Sequence, residues 1–271
     1  MLKIESITKT FNITGNEEDT RIALDNISLH IKEGEFVTII GGNGSGKSTL
    51  MNLISGVFPP DKGHILIDGE CVDKLSEYKR AKYLGRVFQD PNLGTAPQMS
   101  VLENMELALR RGSKRSIFKW GFKKEHKAMF IDLIKDLGLG LESRLEQKVG
   151  LLSGGQRQAV TLLMATLQRP KILLLDEHTA ALDPKTSRIV LNLTEKVVKE
   201  QKLTTIMITH NMKDAINIGN RLIMMNDGKI IYDVQGEEKK KLTTADLLAK
   251  FKLTSGEELE DDKILLSEAE N

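Results

Sequence analysis

The chain has 271 residues, with 39 Lys plus Arg against 38 Asp plus Glu, and a balance this even gives no nucleic-acid signature. That length suits one domain with a sizeable core and at most a subdomain, and the single cysteine, Cys71, excludes an internal disulfide and fits a reducing cytoplasm. No run approaches the roughly 20 apolar residues of a membrane helix, and Met1-Leu2-Lys3-Ile4-Glu5 holds no apolar signal core, so membrane association is expected only through a partner.

Residues 1 to about 88 read as a strand-rich arm followed by the start of an α/β core, with Gly34, Gly63 and Gly69 marking turns. The polar stretch Asn12 to Arg21 reads as a turn or hairpin insertion. Phe36-Val37-Thr38-Ile39-Ile40 is a short, β-branched apolar run, hence a buried strand. It is followed by Gly41-Gly42-Asn43-Gly44-Ser45-Gly46-Lys47-Ser48-Thr49 and then by a helix beginning at Leu50. Strand, Gly-rich loop and helix in that order form a nucleoside-triphosphate cradle. The glycines let backbone N–H groups approach the phosphates, and the helix N-terminus adds partial positive charge. Lys47 would neutralise the β- and γ-phosphates, and the Ser48 hydroxyl would bind Mg²⁺.

About 90 to 156 is mostly helical, with helices expected over Val101 to Arg111 and Lys123 to Leu137. Within it Arg110, Arg111, Lys114, Arg115, Lys119, Lys123, Lys124 and Lys127 surround Trp120, the only tryptophan. This stretch reads either as a contact for anionic lipid head groups or as a solvated loop with a packed Trp. Leu152-Ser153-Gly154-Gly155-Gln156 leads into a further helix, expected over Gln156 to Gln168, and places Ser153 at an anion-favouring N-terminus. Ile172 to Leu175 is a continuous aliphatic run, as in a parallel strand buried on both faces. Asp176 and Glu177 then fall at its C-terminal edge, where α/β folds hold ligands. Asp176 would serve Mg²⁺ through water or from the second shell, and Glu177 would be the general base for an attacking water.

Phosphate loop, Ser-Gly-Gly-Gln pentapeptide and acidic strand end, in this order, resemble the ATP-binding cassette (ABC) ATPases, the nucleotide-binding subunits of ABC transporters. The resemblance implies an α/β, RecA-like P-loop NTPase core with a mainly parallel sheet, an antiparallel β arm and an inserted helical subdomain. It implies ATP and Mg²⁺ as cofactors and a homodimer sharing two ATP sites. Ser153, Gly154, Gly155 and Gln156 would then contact the γ-phosphate held by the opposite subunit. By the same resemblance Gln89, after Val87-Phe88, senses Mg²⁺ and the attacking water. His210, after the strand Thr205 to Thr209, donates to the γ-phosphate. Asp183 sits in the loop that crosses the dimer interface. Phe11, the sole aromatic residue upstream of Phe36, is the candidate for stacking on adenine; plain core packing is its other reading.

One position departs from the family. After the catalytic Glu a Pro is usual; here it is His178, in Glu177-His178-Thr179-Ala180-Ala181-Leu182-Asp183. Pro would fix φ; His178 loses that restraint and is expected to add a titratable ring near the phosphates. No second His or Cys stands at ligand spacing from it. The variant resembles a bacterial importer subgroup that accompanies an extracytoplasmic binding protein and a permease of the branched-chain amino acid type. The implied protein is an ATPase subunit on the cytoplasmic face of the membrane, held there by the permease and powering import of a small solute such as an amino acid. An exporter or lipoprotein-release motor is the alternative. A soluble cassette ATPase acting on nucleic acid or ribosomes is disfavoured, because this chain has one cassette and no long coiled-coil insertion. The expected organisation is an ATPase domain over 1–235, with its helical subdomain at about 90–156, and a C-terminal appendix over 236–271. The last part, Gly256 to Asn271, carries seven acidic residues and one Lys and is expected to be mobile or loosely packed.

Overall fold

The structure, a computed structural model, describes residues 1–12, 20–111 and 124–255. Its strands are β1 (Leu2–Asn12), β2 (Thr20–Ile31), β3 (Phe36–Ile40), β4 (Lys62–Ile67), β5 (Glu70–Cys71), β6 (Leu84–Val87), β7 (Ile172–Asp176), β8 (Thr204–Ile208), β9 (Arg221–Asn226) and β10 (Lys229–Gln235). Its helices are α1 (Lys47–Ser55), α2 (Glu77–Arg80), α3 (Val101–Leu109), α4 (Lys124–Lys135), α5 (Gly154–Thr166), α6 (Pro184–Gln201), α7 (Met212–Asn217), α8 (Gly236–Lys240) and α9 (Thr244–Ser255). Two units emerge: Met1–Glu77 together with Thr204–Asn271, and Tyr78–Leu203.

In the first unit, β1 turns Leu2 and Ile4 inward and pairs antiparallel with β2, Leu2 opposite Ile31 and Ile4 opposite Leu29. Three register shifts follow between Ile4 and Thr10, the first at Ser6 with φ 50°, so that Ile7 meets Ile27 and, after the last, Phe11 comes opposite Arg21. With β4 and β5 these strands form an antiparallel sheet in the order β2-β1-β4-β5. This is the β arm expected from the sequence. β3 is buried along its whole length and runs parallel to β8 on one side and β9 on the other. Covering on both faces is why it reads as an almost unbroken apolar run. Its one polar side chain, Thr38, donates to the Ala215 carbonyl at 2.8 Å. β10 closes the run antiparallel to β9. The described part of the C-terminal segment belongs to this core, since Leu247 and Phe251 pack with Ile40, Ala215, Leu222, Met224 and Val234. The acidic tail lies outside the described residues.

In the second unit, β6 and β7 run parallel, with Leu84 opposite Ile172 and Val87 opposite Leu175. The helices begin where side chains can satisfy their free N–H groups. Ser100 and Glu103 form a reciprocal capping box before α3, Ser153 and Gln156 do so before α5, and Asp183 caps α6 ahead of Pro184. The box at Ser153 explains a difference from the sequence reading. The helix starts at Gly154 rather than Gln156, because the cap outweighs the poor helix propensity of two glycines. Among the described residues no helix is long and apolar enough to cross a membrane.

Candidate functional site

The first unit holds the phosphate loop. It leaves the C-terminal end of β3 and enters α1 through Gly46, the N-cap, at φ 99°. A Cβ there would lie 2.6 Å from the Ala23 carbonyl oxygen and 2.7 Å from Leu24 Cδ2, so only glycine lets the loop pass β2. Lys47 is 5 % exposed. Its ammonium donates to the carbonyls of Gly41 at 2.7 Å and Gly42 at 2.9 Å, and to Ser45 Oγ at 3.4 Å. Asn43, Gly44 and Ser48 are exposed, while Gly41, Gly42 and Thr49 are half-buried. The first turn of α1 carries no acidic residue, which leaves the positive helix end available to an anion.

Two further elements reach the same region. In antiparallel strands opposite residues share a face, so Phe11 and Arg21 lie side by side. The Arg21 guanidinium extends to the loop: its Nη2 would stand 2.9 Å from a Cβ on Gly44. Phe11 remains 39 % exposed and meets Phe58 edge-on, ring centroids 5.2 Å apart. The Lys9 ammonium lies 5.5 Å from both rings and pairs with Asp61 at 2.6 Å. At the other side of β3, Ile39 faces Ile208 and the Thr209 N–H donates to the Ile39 carbonyl at 3.2 Å. The exposed His210 therefore leaves β8 at the edge where Gly41 leaves β3.

The second unit carries the remaining candidates. Gln89 is exposed just beyond the C-terminal end of β6, and the preceding Phe88 carbonyl accepts from Gln158 Nε2 at 3.1 Å. Asp176, at the end of β7, is paired with Arg86 at 2.9 Å, both side chains largely buried. A carboxylate already neutralised in this way fits a metal role through water better than direct ligation. Glu177 follows at φ 46°, a left-handed conformation that is costly for a residue with a Cβ. Its carbonyl accepts from the Ala180 N–H at 3.0 Å, closing a tight turn.

That turn sends His178 inward. It is 1 % exposed, so the expectation of a titratable ring near the phosphates is corrected. Burial lowers its pKa to about 4, which keeps the imidazole neutral at pH 7. Its Nε2 lies 3.0 Å from Thr194 Oγ1, and the Thr194 hydroxyl donates to the Val190 carbonyl at 2.9 Å.

Ser153 and Gly154 are exposed at the start of α5. The Gln156 N–H donates to Ser153 Oγ at 3.3 Å, and Gln156 Oε1 accepts from the Ser153 N–H at 3.2 Å. This loop rests on the start of α6: a Cβ on Gly155 would stand 1.9 Å from Thr186 Cγ2, and one on Gly154 would stand 3.3 Å from Leu182 Cδ2. Asp183 is thus brought beside it. The Thr186 hydroxyl and amide hold the Asp183 carboxyl below the usual carboxylate range.

Sequence reasoning missed Arg21, Phe58, Arg86 and Thr194. Only Arg86 left a local signal, a cation inside the apolar strand Leu84-Gly85-Arg86-Val87. Of the basic stretch, Arg110 pairs with Glu106, Arg111 donates to the Ala165 carbonyl at 3.0 Å, and Lys127 pairs with Glu146 at 2.7 Å. Lys114, Arg115, Lys119, Trp120 and Lys123 lie outside the described residues.

Residues 24–180 match the family model described as "ABC transporter", more than half of the chain. A tyrosine transport ATP-binding protein of Clostridioides difficile (strain R20291) is 47 % identical over 252 residues, covering 93 % of this chain and 98 % of that protein. A methionine import ATP-binding protein of Streptococcus pneumoniae is 35 % identical over 240 residues, 86 % of this chain and 64 % of that protein. Among solved structures, the dimeric post-hydrolysis state of the cassette MJ0796 of Methanocaldococcus jannaschii, bound to ADP and Pi, superimposes with a TM-score of 0.74 at 33 % identity, covering 87 % of this chain and 98 % of that one.

Proposed function

The chain belongs to the ABC transporter family as an ATP-binding, ATP-hydrolysing subunit, and we propose that it powers a bacterial importer of a small organic solute, an amino acid in the first instance. One observation carries the nucleotide reading above the others. The buried ammonium of Lys47 sits at the C-terminal end of a buried parallel strand, at the start of a helix whose first turn has no acidic residue. A triphosphate is the anion that such a cradle suits. Gly41 to Thr49 would wrap the phosphates and Phe11 would stack on adenine, with Arg21 beside it. Mg²⁺ would be held by Ser48, with Asp176 and Gln89 acting through water, and would screen the phosphate charge. Glu177 would take the proton of the attacking water, while His210 would donate to the γ-phosphate. Ser153 to Gln156 and Asp183 would serve the ATP of a second copy, so closure of two copies on two ATPs would complete both sites. A permease would receive that motion and hold the subunit at the cytoplasmic face, with an extracytoplasmic binding protein delivering the solute.

The names of the tyrosine transport and methionine import relatives support import of an amino acid; an exporter or lipoprotein-release motor is the competing assignment. The decisive test of the chemistry is Glu177→Gln, which keeps size and hydrogen bonding but removes the base. Hydrolysis is expected to fall at least about a hundredfold, with ATP binding intact and an ATP-bound dimer accumulating in light scattering. A variant that stays monomeric and hydrolyses at the wild-type rate refutes the assignment.

A further inference from the structure

His178 is the one fully buried histidine of the five in the chain, and it directly follows the left-handed Glu177. Its hydrogen bonding is fixed by what surrounds it. The Thr194 hydroxyl spends its proton on the Val190 carbonyl at 2.9 Å. Its oxygen can therefore only accept from the ring, so the Nε2–H of His178 is the donor at 3.0 Å. Nδ1 then carries a lone pair and is buried without a hydrogen-bond partner among the described residues. An apolar side chain of similar volume would fill the site without that penalty. What the imidazole adds is one directed bond from the Glu177 turn to the middle of α6. The same helix receives Gly155 at Thr186 and is capped by Asp183, so α6 is a common anchor for the Glu177 turn, the Ser153 loop and Asp183.

We propose that His178 is a positioning residue for hydrolysis: its Nε2–H bond to Thr194 ties the left-handed turn at Glu177 to α6 and so fixes the aim of the Glu177 carboxylate. The proposal rests on the reading of Glu177 as the general base. Without the bond, the Glu177 backbone can relax toward a right-handed conformation, swinging the carboxylate away. A misplacement of about 1 Å lowers turnover by up to roughly a hundredfold. Because the bond is buried, with His178 and Thr194 each 1 % exposed, it should move kcat and leave KM alone.

Two pairs of variants test this in the full-length protein. Thr194→Val removes the acceptor at nearly constant volume, and Thr194→Ser keeps it. His178→Leu removes the donor, and His178→Gln offers an amide N–H to the same oxygen. Thr194→Val and His178→Leu are expected to lower kcat about tenfold or more, with KM for ATP and nucleotide affinity unchanged. Thr194→Ser and His178→Gln are expected to recover most of the rate. In a Glu177→Gln background, Thr194→Val should produce no further loss, because the bond acts only through Glu177. Wild-type kcat in both deleting variants, equal loss in the deleting and conserving variants, or a full additional loss on top of Glu177→Gln each overturns the proposal. If one pair does not fold, the other decides. Should Glu177→Gln itself hydrolyse normally, the assignment of the base fails, and that result is read separately from the Thr194 and His178 series.

Discussion

Adding a methyl group to each of the two adjacent glycines after Ser153 should have opposite consequences. Both lie in the first turn of α5, where Gly→Ala gains about 1 kcal/mol of helix propensity. At Gly154 the new Cβ meets only Leu182 Cδ2, the movable end of a side chain, at 3.3 Å. Gly154→Ala should therefore be neutral or stabilising. At Gly155 the new Cβ falls 1.9 Å from Thr186 Cγ2, whereas carbons in contact sit about 3.5–4.0 Å apart. Either α5 and α6 separate, or Thr186 leaves its preferred χ1. Overpacking on this scale costs about 1–3 kcal/mol, which cancels the propensity gain and leaves a net loss of up to about 2 kcal/mol. The cause is a single methyl, so Gly155→Ala combined with Thr186→Ser should be at least as stable as Thr186→Ser alone, gaining up to about 1 kcal/mol of helix propensity. Urea unfolding midpoints at constant slope measure all five proteins, wild type included. Equal midpoints for Gly154→Ala and Gly155→Ala, or a loss at Gly155 that Thr186→Ser does not relieve, would refute the claim that the loop is seated on Thr186.

Phe11→Ala should weaken binding of a fluorescent ATP analogue by about 1–3 kcal/mol, as loss of a base-stacking ring does, while Phe11→Trp keeps it; unchanged affinity in Phe11→Ala assigns the ring to packing against Phe58. Ser153→Arg should leave binding of the first ATP nearly intact but abolish dimerisation and hydrolysis, because Ser153 is assigned to the opposite copy's nucleotide. Lost monomer affinity with normal turnover would place Ser153 in its own subunit's site instead.

The sequence made the strands around the site legible because parallel strands buried on both faces need unbroken apolar runs: Phe36 to Ile40 and Ile172 to Leu175 stand out, and their C-terminal ends locate Gly41, Asp176 and Glu177. The phosphate loop was equally readable, since close backbone approach demands glycines at fixed spacing. What escaped was set by register and by helix packing. Arg21 stands opposite Phe11 only because of the register shifts between Ile4 and Thr10, and a bulge leaves no mark in composition. Phe58 reaches Phe11 across the fold, and Thr194 is one hydroxyl among several on α6. His178 was misread for the same reason: its direction depends on the left-handed backbone at Glu177, which no local pattern announces. The packing of the described C-terminal segment was equally hidden, because Leu247 and Phe251 are isolated apolar residues until α9 lays them against Ile40 and Met224.

That last contact has a bearing on how the protein is made. The unit holding the phosphate loop is assembled from the two ends of the chain, while Tyr78–Leu203 is continuous. As the polypeptide emerges from the ribosome, β3 appears early, yet its parallel neighbours β8 and β9 and the α9 residues behind Ile40 come last. Roughly 210 residues separate Ile40 from Phe251, so at about 5–20 residues per second the strand waits about 10–40 s for its partners. The middle of the chain can fold first, and the core behind the phosphate loop is finished only once the residues through Phe251 have been made. Until β8 and β9 are made, Phe36 to Ile40 is an apolar, β-forming segment without its parallel neighbours, the kind of surface that associates wrongly while it waits.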